Sequence, residues 1–166
     1  MPPGPAPFDP ERLLATLARH EVAHVLIGGL AAALHGSPAT TNDADICPER
    51  SPENLHRLAG ALGELDARIR TEAAVGGLAF DRSAEFLATV ALLNLTTAAG
   101  DLDLAFEPAG VGGYEELADR AVAVDLGDFV ALVAALDDVI HSKEVADRPR
   151  DRAVLPLLWA LRDEIG

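Results

Sequence analysis

Val25-Leu26-Ile27-Gly28-Gly29-Leu30-Ala31-Ala32-Ala33-Leu34-His35-Gly36 leads, through Ser37-Pro38-Ala39-Thr40-Thr41-Asn42, into Asp43-Ala44-Asp45-Ile46. An apolar run ends in two glycines that open a helix of small residues. A turn follows, and then two aspartates spaced i, i+2 on an extended segment. Glycines at a strand-to-helix junction let a phosphate approach the backbone, and a helix N-terminus offers it unpaired N–H groups. Side chains alternate along a strand, so Asp43 and Asp45 share one face. Two hard carboxylates beside a phosphate cradle suit Mg²⁺, which prefers oxygen ligands and substrate phosphates. The pattern is a plan for moving a nucleotide.

Outward from this stretch, strands and helices mix without strict βαβ alternation. Asp9-Pro10 caps a helix that presents Leu13, Leu14, Leu17 and Ala18 on one face. Val22 to Ile27 reads as a buried strand, Gly29 to Leu34 as a short helix, and Asp43 to Cys47 as a second strand. Ser51-Pro52-Glu53 starts a helix to about Leu62. Ala67 to Arg70 reads as a short strand, and Gly76-Gly77 as a turn. Phe86 to Thr96 and Asp101 to Phe106 form a hairpin around Ala98-Ala99-Gly100. Ala121 to Leu126 and Phe129 to Ala134 read as strands. Leu136 to Ala146 and Pro149 to Ile165 read as helices, the second kinked or restarted at Pro156. The expected class is α/β (α+β): a mixed sheet flanked by helices, with a C-terminal helical segment over about 136–166. Residues 1–9 read as a loose, proline-rich tail, and 10–166 as one domain.

Composition narrows the function. A chain of 166 residues that is 49% hydrophobic can bury a real core. No apolar run is long enough to span a membrane, and residues 1–10 lack the basic and apolar regions of a secretion signal. The single cysteine, Cys47, rules out an internal disulfide framework and fits a reducing cytosol, so a cytoplasmic location is expected. The net charge of -14 opposes nucleic-acid binding over most of the surface. An RNA partner needs a local basic patch, and Lys143, Arg148, Arg150 and Arg152 supply the candidate. Lys143 is the one lysine beside twelve arginines, which points to a compact ammonium as a phosphate point charge. A surface lysine is the plain alternative.

Other residues read as structural. His35 sits in a turn, and His20, His24, His56 and His141 lack metal-ligand spacing. Ser37 has no Gly-x-Ser-x-Gly setting, which argues against a serine hydrolase. Cys47 reads as a small buried hydrophobe, and Trp159 as a core or interface residue. Asp137-Asp138 complements a helix dipole. A second D-x-D, Asp101-Leu102-Asp103, lies downstream of the first. Alone, either pair reads as a solvated strand face.

In its setting, the run "IGGLAAALHGSPATTNDADI" resembles the nucleotidyltransferase superfamily, which joins G-[GS] at a helix start to a downstream D-x-D. The likeness is to the small bacterial branch of AbiEii-like and MenT-like toxins and MNT-like minimal nucleotidyltransferases. Gly100-Asp101-Leu102-Asp103-Leu104 matches the setting of the third carboxylate, which points to Asp103, with Asp101 as neighbour or substitute. Ile140, Ser142, Lys143, Arg148, Arg150 and Asp151 match the family's helical tail. Two departures stand out: Ala39-Thr40-Thr41-Asn42 lacks the basic residue that often precedes the D-x-D, and Gly29 stands where many relatives have Ser.

The resemblance implies a nucleotidyltransferase-like fold and transfer of NMP from an NTP with Mg²⁺ or Mn²⁺. It makes Asp43, Asp45 and Asp103 the metal ligands and, with Lys143, the catalytic set. Gly28, Gly29, Lys143 and Asp151 would bind the nucleotide, and Arg148 and Arg150 the acceptor. The implied acceptor is an RNA end, specifically the tRNA acceptor end. The protein would then be the toxin of a toxin–antitoxin or phage-defence pair, with a cognate antitoxin as possible partner. The alternatives are transfer to a protein or a small molecule such as an aminoglycoside, or a degenerate domain that only binds a partner protein.

Overall fold

The computed structural model describes residues 5–165. The expected tail falls partly outside that range, but its end is tied down: Phe8 packs against the core and the Asp9 N–H donates to Ala99 O at 2.8 Å. The Asp9 carboxylate then accepts from Arg12 N and caps α1 (Pro10–Arg19), with Pro10 in the first turn. Leu13, Leu14 and Leu17 are buried on one face of α1, as the periodicity requires.

β1 (His24–Ile27) runs into α2 (Gly28–Leu34), which ends at His35, whose Nε2 lies 2.7 Å from Ala134 O. β2 (Asp43–Pro48) follows, then α3 (Pro52–Glu64), capped by the Ser51 side chain on Asn54 N. Asn54 is buried and stitches α3 to the strand ends. Its amide accepts from Ala23 N at 2.7 Å and donates to Ala23 O and Glu49 O at 2.9 and 2.8 Å.

β3 (Arg68–Thr71) and β4 (Ala74–Leu78) form the next pair. Their turn is Glu72-Ala73, so Gly76-Gly77 lies within β4 instead of marking the turn. Both glycines have positive φ, at 86° and 84°, where the β3–β4 register shifts. A Cβ on Gly77 would stand 2.8 Å from Ile69 O and 2.9 Å from Thr96 Cγ2. The pair is therefore a bulge and a close approach, a use of glycine that mimics a turn signal.

The expected strand from Phe86 is also corrected. Ser83 accepts from Phe86 N and starts a short helix, α4 (Ala84–Leu87), and β5 begins only at Leu92 (Leu92–Thr97). A helix cap outweighs β-propensity at Phe86. β5 and β6 (Gly100–Ala105) form the expected hairpin. α5 (Tyr114–Arg120), β7 (Val122–Asp125) and β8 (Val130–Val133) lead to α6 (Leu136–Ala146) and α7 (Pro149–Ile165). α7 is unbroken at Pro156, which is exposed, so water can reach the carbonyl that proline leaves without a donor. Trp159 on α7 is 38% exposed and does not enter the core.

The eight strands form one mixed sheet in the order β4-β3-β5-β6-β2-β1-β8-β7. β2 pairs with β6 and β1 with β8 in parallel; the other neighbours are antiparallel. The α/β mixed-sheet class read from the sequence is the observed one. Among the described residues, no helix is long and apolar enough to cross a membrane. Replacing Asn54 with Ala removes three part-buried hydrogen bonds at once and leaves Ala23 N and Glu49 O without their side-chain partner. Denaturant unfolding of Asn54→Ala should show a loss of about 3 kcal/mol, with helix content unchanged at low denaturant.

Candidate metal and nucleotide site

The site begins as a register. β2 and β6 lie side by side in parallel with Asp43 opposite Asp101 and Asp45 opposite Asp103. The alternate residues Ala44, Ile46, Leu102 and Leu104 are fully buried in the core. Their demand for burial turns all four acids to the other face. On that face Asp43, Asp45 and Asp103 each bring a carboxylate oxygen within 4.8 Å of the others. The geometry selects Asp103 over Asp101 as the third member.

α2 reaches the cluster through Gly28. This residue has φ 68°, and a Cβ on it would overlap Asp45 Oδ2 and lie 2.9 Å from its Cγ. Glycine is required here twice, by the left-handed backbone and by the carboxylate pressed against it. Gly29 beside it has ordinary φ and faces Thr41, whose Oγ1 would be 3.1 Å from an added Cβ. No side chain caps α2. Both glycines line the same cleft as the acids, a cavity of about 1040 Å³.

A basic residue that the sequence reading did not find also reaches the acid cluster. Arg70 projects from β3, beyond β5, and donates to Asp103 Oδ1 at 2.6 Å and to Leu95 O at 3.1 Å. Its Nη1 stands 3.3 Å from Asp101 Oδ2. The alternation Arg68-Ile69-Arg70 marks a strand, but the contact with Asp103 depends on strand pairing across β5, which no spacing in the chain signals.

The α6–α7 junction closes the cleft. Lys143, Arg148 and Arg150 all line it. Asp151, expected to bind nucleotide, is fully buried and already engaged. It accepts from Arg148 N, Nε and Nη2 at 3.1, 2.7 and 3.2 Å, and Lys143 Nζ lies 3.6 Å from its Oδ1. As the third residue of α7, reaching back to the N–H ahead of the helix, it makes half of a capping box. Asp151 therefore positions two cations and is not open to a ligand. The basic patch is also partly neutralised, because Arg152 pairs with Asp147. Among the described residues Arg150 makes no ion pair or side-chain hydrogen bond, and its charge acts on Asp43.

Electrostatics marks this face as strained. Burial first, then the charges of Asp43 and Asp103, push the Asp45 carboxyl up to about 8, with Lys143 opposing. Burial and Asp103 likewise raise Asp43, against Arg70 and Arg150. A hard divalent cation would relieve that repulsion, and the donor set consists of carboxylate oxygens alone, as Mg²⁺ or Mn²⁺ prefers. The residues present fit such an ion. Compared with known proteins, the chain matches no family model, and no curated protein matches its sequence.

Replacing Asp45, which its crowded and buried setting keeps from ionising, should stabilise the metal-free protein. In the presence of a chelator, Asp45→Asn is expected to gain on the order of 1–2 kcal/mol at neutral pH, read by thermal or denaturant unfolding. A loss of stability would mean that the Asp45 charge is satisfied by Lys143 and not opposed by its neighbours.

Proposed function

We propose that the protein is a nucleotidyltransferase dependent on Mg²⁺ or Mn²⁺, which moves NMP from an NTP to an acceptor hydroxyl. One observation carries the reading: the parallel β2–β6 register gathers Asp43, Asp45 and Asp103 in the cleft that also holds Gly28, Gly29 and Lys143. A solvated strand face would not need a left-handed glycine packed on one of its acids.

In this reading Asp43, Asp45 and Asp103 hold the ion or ions. Bound there, the metal supplies charge neutralisation for the attacking and leaving oxygens of an in-line displacement. The acceptor hydroxyl attacks the α-phosphorus, the bond to the bridging oxygen of the β-phosphate breaks, and pyrophosphate leaves. Asp103 would lower the pKa of the attacking hydroxyl through the ion it helps to hold, or act as the base that takes its proton. The N–H groups of Gly28 and Gly29 and the ammonium of Lys143 hold the triphosphate. Asp151 keeps Lys143 and Arg148 in place and does not itself touch nucleotide. Arg150, which has no acidic partner among the described residues, faces the acceptor.

The acceptor we propose is an RNA end, specifically the tRNA acceptor end, modified by the toxin of a toxin–antitoxin or phage-defence pair. A protein or small-molecule acceptor is the second reading. It is favoured by the net charge of -14 and by the ion pairs that neutralise Arg148 and Arg152.

Incubation with each labelled NTP, Mg²⁺ and either total RNA or lysate protein identifies the acceptor by which fraction takes the label. Asp43→Asn and Asp45→Asn should each lower transfer by on the order of a thousandfold while the protein still folds. Transfer at near wild-type rate in either variant would remove the metal assignment. In the wild type, Mg²⁺ should raise the melting temperature and an added NTP should raise it further, through preferential binding to the folded state. Lys143→Ala should weaken NTP use with every acceptor, whereas Arg150→Ala should weaken acceptor use and, if that acceptor is RNA, flatten the salt dependence. A Lys143→Ala variant that uses NTP normally would return this lysine to the status of a surface charge.

A further inference from the structure

We propose that Arg70 is the built-in counter-ion of the carboxylate cluster: it fixes Asp103 in place, and its charge sets how much divalent metal the site requires. The inference rests on the metal-dependent reading above and goes beyond it by making the metal requirement a property of a residue outside the D-x-D strands.

Arg70 is pinned from three sides. One arm of the guanidinium donates to Asp103 Oδ1 at 2.6 Å, and the other donates to Leu95 O on the intervening strand at 3.1 Å while lying 3.3 Å from Asp101 Oδ2. Its side chain is only 33% exposed. A planar fork held this way spans two carboxylates on one strand, which an ammonium cannot reproduce. The contact falls on the carboxylate that also completes the three-acid cluster. Two consequences follow, with opposite signs. The arginine charge competes with an incoming divalent cation, so it weakens metal binding. The same hydrogen bonds stop Asp103 from turning away, so they preserve the geometry that transfer needs. Arg70 is thus a positioning residue: it acts through Asp103.

The test separates charge from geometry. Mn²⁺ binding to the full chain is measured directly from the loss of the free-ion EPR signal, for the wild type, Arg70→Gln, Arg70→Lys and Asp45→Asn. Arg70→Gln should bind Mn²⁺ about tenfold more tightly, the size expected for removing one charge a few ångströms away in a largely hydrated cleft. Arg70→Lys should bind within about twofold of wild type. Transfer at saturating metal should fall about tenfold or more in both, with lysine failing to rescue although it keeps the charge. If Arg70→Gln does not fold, Arg70→Met, which keeps the apolar stem, takes its place. Equal Mn²⁺ affinity in the wild type and the neutral variant, with binding still lost in Asp45→Asn, overturns the counter-ion role and leaves the metal reading standing. The same holds if the only change is a weaker affinity for acceptor, which would make Arg70 an acceptor contact. Wild type binding no more Mn²⁺ than Asp45→Asn overturns the metal reading and this inference together.

Discussion

Along β2 and β6, acids and aliphatic residues alternate, and the parallel register between these two strands is what the rest of the molecule depends on. Ala44, Ile46, Leu102 and Leu104 have no exposure, and Asp43, Asp45, Asp101 and Asp103 occupy the intervening positions. Slipping either strand by one residue would carry acids into the core and aliphatics to the cleft. Each unpaired charge moved that way would cost several kcal/mol, far more than any rearrangement of surface ion pairs could return. The apolar face therefore imposes the arrangement, and the acidic face accepts a repulsion it would not adopt alone. Stability and chemistry are written on opposite sides of the same strands.

Much of the fold was legible because its signals are local. Asp9-Pro10 and Ser51-Pro52 start helices where the sequence says they should, since a cap and a proline act within one turn. The same locality misled at two places. Gly76-Gly77 permits a turn, but the turn lies at Glu72-Ala73 and the glycines serve a bulge. Phe86 suits a strand, but Ser83 caps a helix through it. The D-x-D and Gly28 could be read as parts of one site from their short separation. Which downstream acid joins them could only be weighed, because strand pairing is set by burial across the whole sheet. Arg70 was out of reach for the same reason: its route to Asp103 crosses β5, and no spacing in the chain encodes that step.

The α6–α7 junction shows a different kind of concealment. Lys143, Arg148 and Asp151 resemble a row of ligand-binding groups in sequence, yet the acid is enclosed and the two cations converge on it. A buried carboxylate shared in this way spends its hydrogen-bonding capacity on holding neighbours. Lys143 and Arg148 are consequently braced by the body of the protein, whereas Arg152 pairs with an exposed acid and Arg150 makes no ion pair among the described residues.

Gly28 has a consequence for how such a site could be lost. The space beside its Cα is taken by the Asp45 side chain, whose Cγ and Cβ would stand 2.9 and 3.0 Å from an added Cβ. A single added methyl would expel that carboxylate while leaving every acid, lysine and arginine of the cleft in the chain. The acid cluster could therefore be undone without erasing any of its chemical groups. Whether the three acids keep their geometry turns on the one carbon atom that Gly28 lacks, which no census of charged residues records.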